Sequence, residues 1–191
     1  MEPGGSTGGI MSRQELTIAG VGGQGSILAG VILGSAAVTY DKKYAVQTQA
    51  YSAELRGGFA AAWVIVADEP VVFPRVTKPD ILVAQAQDSI DRFADVLKPE
   101  GVLIYDSDLI PQIPGHIKKA YGIRATWLAR NECKATIVCN MIVLGALCKV
   151  TGVVGREALE QSISDSVPKG KVDINLTAFD LGFKEVQPVS M

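Results

Sequence analysis

The chain has one histidine and three cysteines in 191 residues, and no Cys-x-x-Cys pair. Cys133, Cys139 and Cys148 stand six and nine residues apart. Iron–sulfur clusters need closely grouped thiolates and structural zinc needs short Cys/His pairs, so this spacing supports neither. Three buried thiols on an apolar helix are expected instead. No nucleophile motif accompanies His116, which stands beside Gly115 in a stretch with Pro111 and Pro114, so it reads as a surface-loop or helix-start residue. Basic clusters no longer than a pair, a net charge of -2 and a pI near 5.4 argue against a nucleic-acid partner. The longest apolar run, Ala135 to Cys148, has fourteen residues between Lys134 and Lys149, short of the roughly 20 that a spanning helix needs. It reads as a buried helix, with no membrane partner. The opening MEPGGSTGGIM has neither a basic start nor an apolar core, so it does not read as a secretion signal. Residues 1–13 are expected to form a flexible tail, with Met11 as a candidate start, and the protein is expected in the cytoplasm.

What is present is a globular composition, 48% hydrophobic and 20% charged with 20 glycines, and a length suited to a single domain over 14–191. Glu15 to Ala19 reads as a strand entering a glycine turn, and Ile27 to Val38 as a helix. Tyr44 to Ala50 and Phe59 to Ala67 alternate as strands, joined by the loop YSAELRGG. Asp80 to Gln85 reads as a buried strand, Asp88 to Leu97 as a helix opened by an Asp cap, and Gly101 to Tyr105 as a strand. Ile123 to Ala129 is expected as a further strand, Cys133 to Val150 as the apolar helix, and Glu157 to Val167 as a polar helix halted by Pro168. This alternation predicts an α/β fold, a three-layer α/β/α sandwich on a mostly parallel sheet. The loop YSAELRGG is short for a helical crossover, so that strand pair is expected to be antiparallel and the sheet mixed.

The glycine turn, Gly20-Val21-Gly22-Gly23-Gln24-Gly25, satisfies the dinucleotide pattern G-x-G-x-x-G. A turn of this kind between strand and helix presents backbone N–H groups and the positive end of the helix dipole to an anion. A dinucleotide site also expects an acid at the end of the second strand to take the ribose hydroxyls. That strand ends in Gln47-Thr48-Gln49-Ala50, so the nicotinamide or flavin reading lacks its second support. The alternative is that the glycines serve close strand–helix packing. A second constellation is Tyr51-Ser52-Ala53-Glu54-Leu55-Arg56-Gly57-Gly58, where a guanidinium stands beside bare backbone and suits a phosphate or carboxylate. Its structural alternative is a Glu54–Arg56 pair bracing the loop.

These two motifs, with the helix NMIVLGAL from Asn140 and the late segment NLTAFDLG from Asn175, resemble the gamma subunit of the 2-oxoacid:ferredoxin oxidoreductases. The resemblance runs from about Leu16 to Val186. One departure is Ser52-Ala53, where relatives carry Gly-Pro, which implies a less rigid loop. The resemblance implies a chain with no catalytic residue of its own, in an enzyme oxidising 2-oxoglutarate or pyruvate to acyl-CoA, CO2 and reduced ferredoxin. Thiamine diphosphate, Mg and the iron–sulfur clusters would lie on alpha, beta and ferredoxin-like delta partners, and this chain alone would bind no cofactor. Its share would be assembly and part of the CoA site, at Gly22, Gly23, Gln24, Gly25, Tyr51, Glu54, Arg56, Gly57 and Gly58. CoA phosphates need no ribose-binding acid at the end of the second strand. Three other readings remain at this point: a subunit of an indolepyruvate-type enzyme, a docking subunit that binds no ligand, and a stand-alone NAD or FAD protein. A docking face also implies self-association of the isolated chain.

Overall fold

The computed structural model describes residues 12–51 and 58–189. Its strands are β1 (Arg13–Val21), β2 (Tyr44–Tyr51), β3 (Phe59–Ala67), β4 (Ile81–Ala84), β5 (Val102–Asp106), β6 (Lys119–Ile123) and β7 (Gln187–Pro188). They form one sheet in the order β2-β3-β1-β4-β5-β6-β7. β1, β4, β5 and β6 are parallel neighbours, whereas β3 pairs antiparallel with both β1 and β2, and β7 antiparallel with β6. The sheet is therefore mixed, and the β2–β3 pair is antiparallel as its short connection predicts.

The helices are α1 (Ser26–Thr39), α2 (Gln87–Phe93), α3 (Ala125–Asn131), α4 (Cys139–Thr151), α5 (Arg156–Ser166) and α6 (Val172–Glu185). Alternation along each strand divides the core into two clusters. Leu16, Ile18, Val64, Val83 and Ile104 face a thick layer that includes residues of α1, α3, α4, α5 and α6. Leu82, Ala84, Leu103 and Tyr105 face a thin layer with Ile90 of α2 and Ile110 and Ile117 of the connection after β5. The sandwich has three layers, and most of the helix mass lies on one of them.

Within the thick layer α4 and α6 cross at backbone contact. A Cβ built on Gly145 would overlap the carbonyl oxygen of Phe179, and one on Gly182 would overlap that of Ile142. The two glycines are thus reciprocal, each admitting the other helix's backbone, and they explain the glycine in both NMIVLGAL and NLTAFDLG.

Three sequence expectations are corrected. Ile123 to Ala129 is not a strand: β6 ends at Ile123 and Ala125–Asn131 is helical. The cause is remote in sequence, because Asp106 and Asp108 accept the backbone N–H groups of Thr126 (3.1 Å) and Trp127 (2.6 Å) and so open α3. The apolar segment from Cys133 is also not one helix, since Lys134 takes a positive φ of 52° and Thr136–Val138 form a 3-10 turn before α4 starts at Cys139. Cys133 therefore lies off the helix and half-buried, Cys139 is half-buried at the first position of α4, and Cys148 is buried. Asp88 does not cap α2, whose preceding residue is Ala86 with no side-chain cap; it sits in the first turn and pairs with Arg92 at 2.7 Å. His116 is in an exposed loop, as expected, 3.8 Å from Asp95. Among the described residues no helix is long and apolar enough to cross a membrane.

Candidate functional site

The glycine turn leaves β1 and enters α1 on a framework of short bonds. Val21 N donates to Gln24 Oε1 at 2.8 Å, Gln24 N donates to Val21 O at 3.1 Å, and Gln24 Nε2 donates to the Gln85 carbonyl at 2.9 Å just past β4. Gln85 Nε2 in turn donates to Ser26 Oγ at 2.6 Å. The Gln24 amide thus braces the turn against the neighbouring strand instead of facing a ligand. Gly20 is bare to admit it, since a Cβ there would stand 2.5 Å from Gln24 Oε1. Gly25 takes the left-handed conformation, φ 74°, directly before α1, and its missing Cβ makes room for Asn140 of α4, since a Cβ there would stand 2.5 Å from Asn140 Nδ2. Packing therefore accounts for two of the three fingerprint glycines. The open part of the turn is Gly22 and Gly23: both are exposed, and a Cβ on Gly23 would find no heavy atom within 4 Å.

That open part borders a cavity of about 640 Å³ with mostly apolar walls. Gly22, Gly23, Gly25, Ser26 and Leu28 form one side, Tyr51 stands at the end of β2, Ile137 and Val138 come from the 3-10 turn before α4, and Asn140 and Met141 from its first turn. Val167, Pro168, Lys171, Ile174 and Asn175 close it from the α5–α6 junction. First-turn residues of α1, α4 and α6 thus meet at one cavity. None of these helices has a side-chain cap; the first N–H of α4 and of α6 donates into the 3-10 turn before it, and the aligned helix dipoles still place positive partial charge there. Among the described residues no Asp or Glu lines the cavity and Lys171 does. The electrostatics favour an anion and the walls favour an apolar chain.

The structure brings Gly22, Gly23, Gly25 and Tyr51 of the expected set together around this space. Gly58 lies behind the turn, its carbonyl accepting from Gly22 N at 2.7 Å. Glu54, Arg56 and Gly57 lie outside the described residues. Sequence reasoning missed Asn140, Lys171 and Asn175; the one available signal was an amide at the head of the otherwise apolar NMIVLGAL. A dinucleotide arrangement is further weakened by strand order, because β3 intervenes between β1 and β2. A ribose-binding acid at the end of β2 would sit two strand spacings, about 10 Å, from β1.

A second polar cluster stands at the end of β5. Asp106 is fully buried, accepts from Asp108 N at 3.1 Å, Thr126 N at 3.1 Å and Thr126 Oγ1 at 2.6 Å, and has Cys139 Sγ at 3.9 Å. Burial raises the Asp106 carboxyl above the usual range despite these bonds, with the charge of Asp108 adding to the rise. Its geometry is that of a cap on α3. A carboxyl whose folded value is raised stabilises the fold most below its unfolded value, and that stability is lost as pH rises through the folded value. Wild type should therefore gain stability relative to Asp106→Asn as pH falls from 7 to 4 in denaturant titrations; a loss over that range would contradict burial as the dominant influence. Burial likewise pushes the Cys139 thiol up to about 12 and Cys148 up to about 11, which disfavours the thiolate that iron ligation requires. Among the described residues no group of three His, Cys, Asp or Glu side chains is placed to hold a metal ion.

Comparison with known proteins places this architecture. Residues 15–185 match the model of the pyruvate ferredoxin/flavodoxin oxidoreductase family. The chain belongs to that family. It is 46% identical over 177 residues to the 2-oxoglutarate synthase subunit KorC of Methanocaldococcus jannaschii, covering 92% of this chain and 95% of the relative. Its fold matches the crystal structure of a keto/oxoacid ferredoxin oxidoreductase gamma subunit from Geobacter sulfurreducens, with a TM-score of 0.83, 40% identity and coverage of 91% and 96%. It also matches part of the 2-oxoglutarate:ferredoxin oxidoreductase of Magnetococcus marinus, solved with 2-oxoglutarate, coenzyme A and succinyl-CoA bound: TM-score 0.80, 26% identity, 90% of this chain but 30% of that one. Within the pyruvate ferredoxin/flavodoxin oxidoreductase family this chain is a gamma-type subunit of a 2-oxoacid:ferredoxin oxidoreductase, and its relatives are subunits of multi-subunit enzymes. The stand-alone NAD or FAD reading falls with that assignment.

Proposed function

We propose that this gamma subunit works in a thiamine-diphosphate-dependent 2-oxoglutarate:ferredoxin oxidoreductase of the cytoplasm and supplies part of its CoA site. The likeness to KorC over 92% of this chain and 95% of the relative carries the substrate assignment. Thiamine diphosphate and iron–sulfur clusters on partner chains would supply the decarboxylation and the one-electron transfer to ferredoxin, with the acyl group delivered to the CoA thiol. The alpha, beta and ferredoxin-like partners hold the thiamine diphosphate, Mg and clusters. The high thiol values of Cys139 and Cys148 support placing the clusters on partners. The CoA diphosphate meets the backbone at Gly23 and the N-terminus of α1, where among the described residues Lys171 and no acid lines the cavity.

Apolar exposure around the same cavity favours a second, compatible role in docking. Leu28 (40%), Val31 (46%) and Ile137 (82%) are exposed on α1 and before α4, which suits contact with a partner chain and self-association when the subunit is alone. Co-expression with alpha, beta and ferredoxin-like chains, followed by 2-oxoacid-dependent viologen reduction, tests both roles. The expected result is a complex whose 2-oxoglutarate turnover needs CoA and whose KM for CoA rises at least tenfold when this chain is left out. An assembled enzyme with unchanged CoA dependence in its absence would contradict the proposal. Complete loss of assembly with no CoA-binding change in point variants would favour docking alone.

A further inference from the structure

Gln85 bonds to the start of α1 and leaves one of its own polar atoms unsatisfied. Its Nε2 donates to Ser26 Oγ at 2.6 Å, and its Oε1 is buried with no hydrogen-bond partner. Both residues are 1% exposed. A methionine and an alanine would fill the same space with no polar atom to satisfy, and exchanging both partners of a buried pair for apolar groups is close to neutral for folding. The pair is therefore not needed for the fold as a whole, and what it holds is local. A Cβ on Gly20 would stand 2.5 Å from Gln24 Oε1, 2.8 Å from Ser26 Oγ and 3.2 Å from Gln85 Cβ, so three polar side chains converge over that bare glycine.

The convergence ties three pieces of backbone together. Gln24 bonds to Val21 N and to the Gln85 carbonyl, while the Gln85 side chain reaches across to Ser26, the first residue of α1. The backbone on both sides of Gly23 is bonded as well, Gly22 N to Gly58 O at 2.7 Å and Gln24 N to Val21 O at 3.1 Å. Gly23 is thus presented from a fixed frame, and the tie from Gln85 sets where the first turn of α1 begins relative to it. An anion shared by a turn and a helix N-terminus needs the two sets of donors at a fixed separation. We infer that Gln85 is a positioning residue for CoA: through Ser26 it holds the first turn of α1 in place beside Gly23, so that both donate to one anionic group. This rests on the CoA reading of the turn and adds to it a residue of the β4–α2 connection that does not itself line the cavity.

Viologen reduction by the assembled complex at varied CoA, alongside thermal melts of this chain, tests the role. Gln85→Met and Ser26→Ala should each raise the KM for CoA about tenfold, the scale of one misdirected hydrogen bond to a charged group, with kcat at saturating CoA within about twofold. The double variant should raise KM no further than the larger single change, because both break one tie, and should melt within a few degrees of wild type. Ser89→Ala is the control: Ser89 Oγ is also buried without a partner, in α2 after the same strand, so its removal should leave KM and melting unchanged. A merely structural pair shifts the melts and not the KM; that outcome overturns the inference, as do single effects on KM that multiply in the double variant. Loss of the double variant from the complex overturns it too. The CoA reading is separated by Gly23→Val. If that variant raises KM and the double variant does not, the turn binds CoA without help from Gln85; if neither raises it, the turn is not part of the CoA site and the inference falls with it.

Discussion

Gly145→Ala will lower the melting temperature of this chain by about 10 °C. The added methyl would occupy the position of the Phe179 carbonyl oxygen, with Phe183 N at 2.8 Å, so neither a rotamer change nor a small side-chain shift relieves the contact. Backbone atoms of two buried helices must separate. Overpacking of this kind costs on the order of 3 kcal/mol, and in a domain of this size each kcal/mol moves the midpoint by about 2–4 °C. Gly182→Ala meets the Ile142 carbonyl from the other side and should cost about as much. Because both changes push the same two helices apart, the double variant should lose less than the sum. Gly170→Ala is the control: nothing lies within 4 Å of its added carbon, so thermal melts should show no loss. A Gly145→Ala melt indistinguishable from wild type would show that the two helices do not cross at backbone contact.

In the assembled enzyme, Gly23→Val will raise the KM for CoA at least tenfold while leaving kcat at saturating CoA within about twofold. Gly23 is exposed, has a φ of 96° and has open space where a side chain would project. Valine there disturbs no packing; it strains the backbone by about 1–3 kcal/mol and fills the approach to the N–H groups of the turn. The comparison with Gly23→Ala separates the two causes, because alanine brings most of the strain with little of the bulk. Steady-state viologen reduction at varied CoA should rank valine well above alanine in KM. Equal KM values for the two would assign the effect to backbone strain, and no change in either would remove the turn from the CoA site.

Local signals in the chain were enough for the parts of this fold that rest on local physics. Phe59–Ala67 alternates between two faces and is a strand with those bounds; the short loop before it foretold an antiparallel pair and hence the mixed sheet. α3 was misread because its first turn is opened by Asp106 and Asp108, nearly twenty residues away across β6, and nothing in Ala125–Asn131 itself announces a cap. The same distance hid most of the candidate site. Gly22 and Gly23 were visible as exposed glycines, but Asn140 is polar within an apolar helix, and only the packing of α4 against Gly25 reveals that its oxygen is left without a donor. Gln24 shows the reverse case: an amide in a ligand-like loop that the fold uses to tie β1 to the end of β4. NMIVLGAL and NLTAFDLG contributed to the family resemblance as segments, and the reason for their glycines is physical: α4 and α6 touch there.

The central claim is that the glycine turn of this gamma subunit forms part of the CoA site of a 2-oxoacid:ferredoxin oxidoreductase. A structure of the assembled complex with CoA bound tests it most directly. The predicted result is the CoA diphosphate within hydrogen-bond reach of the backbone N–H of Gly23 and the start of α1. CoA held wholly by other subunits, with the cavity beside Gly23 filled by partner side chains, would contradict it.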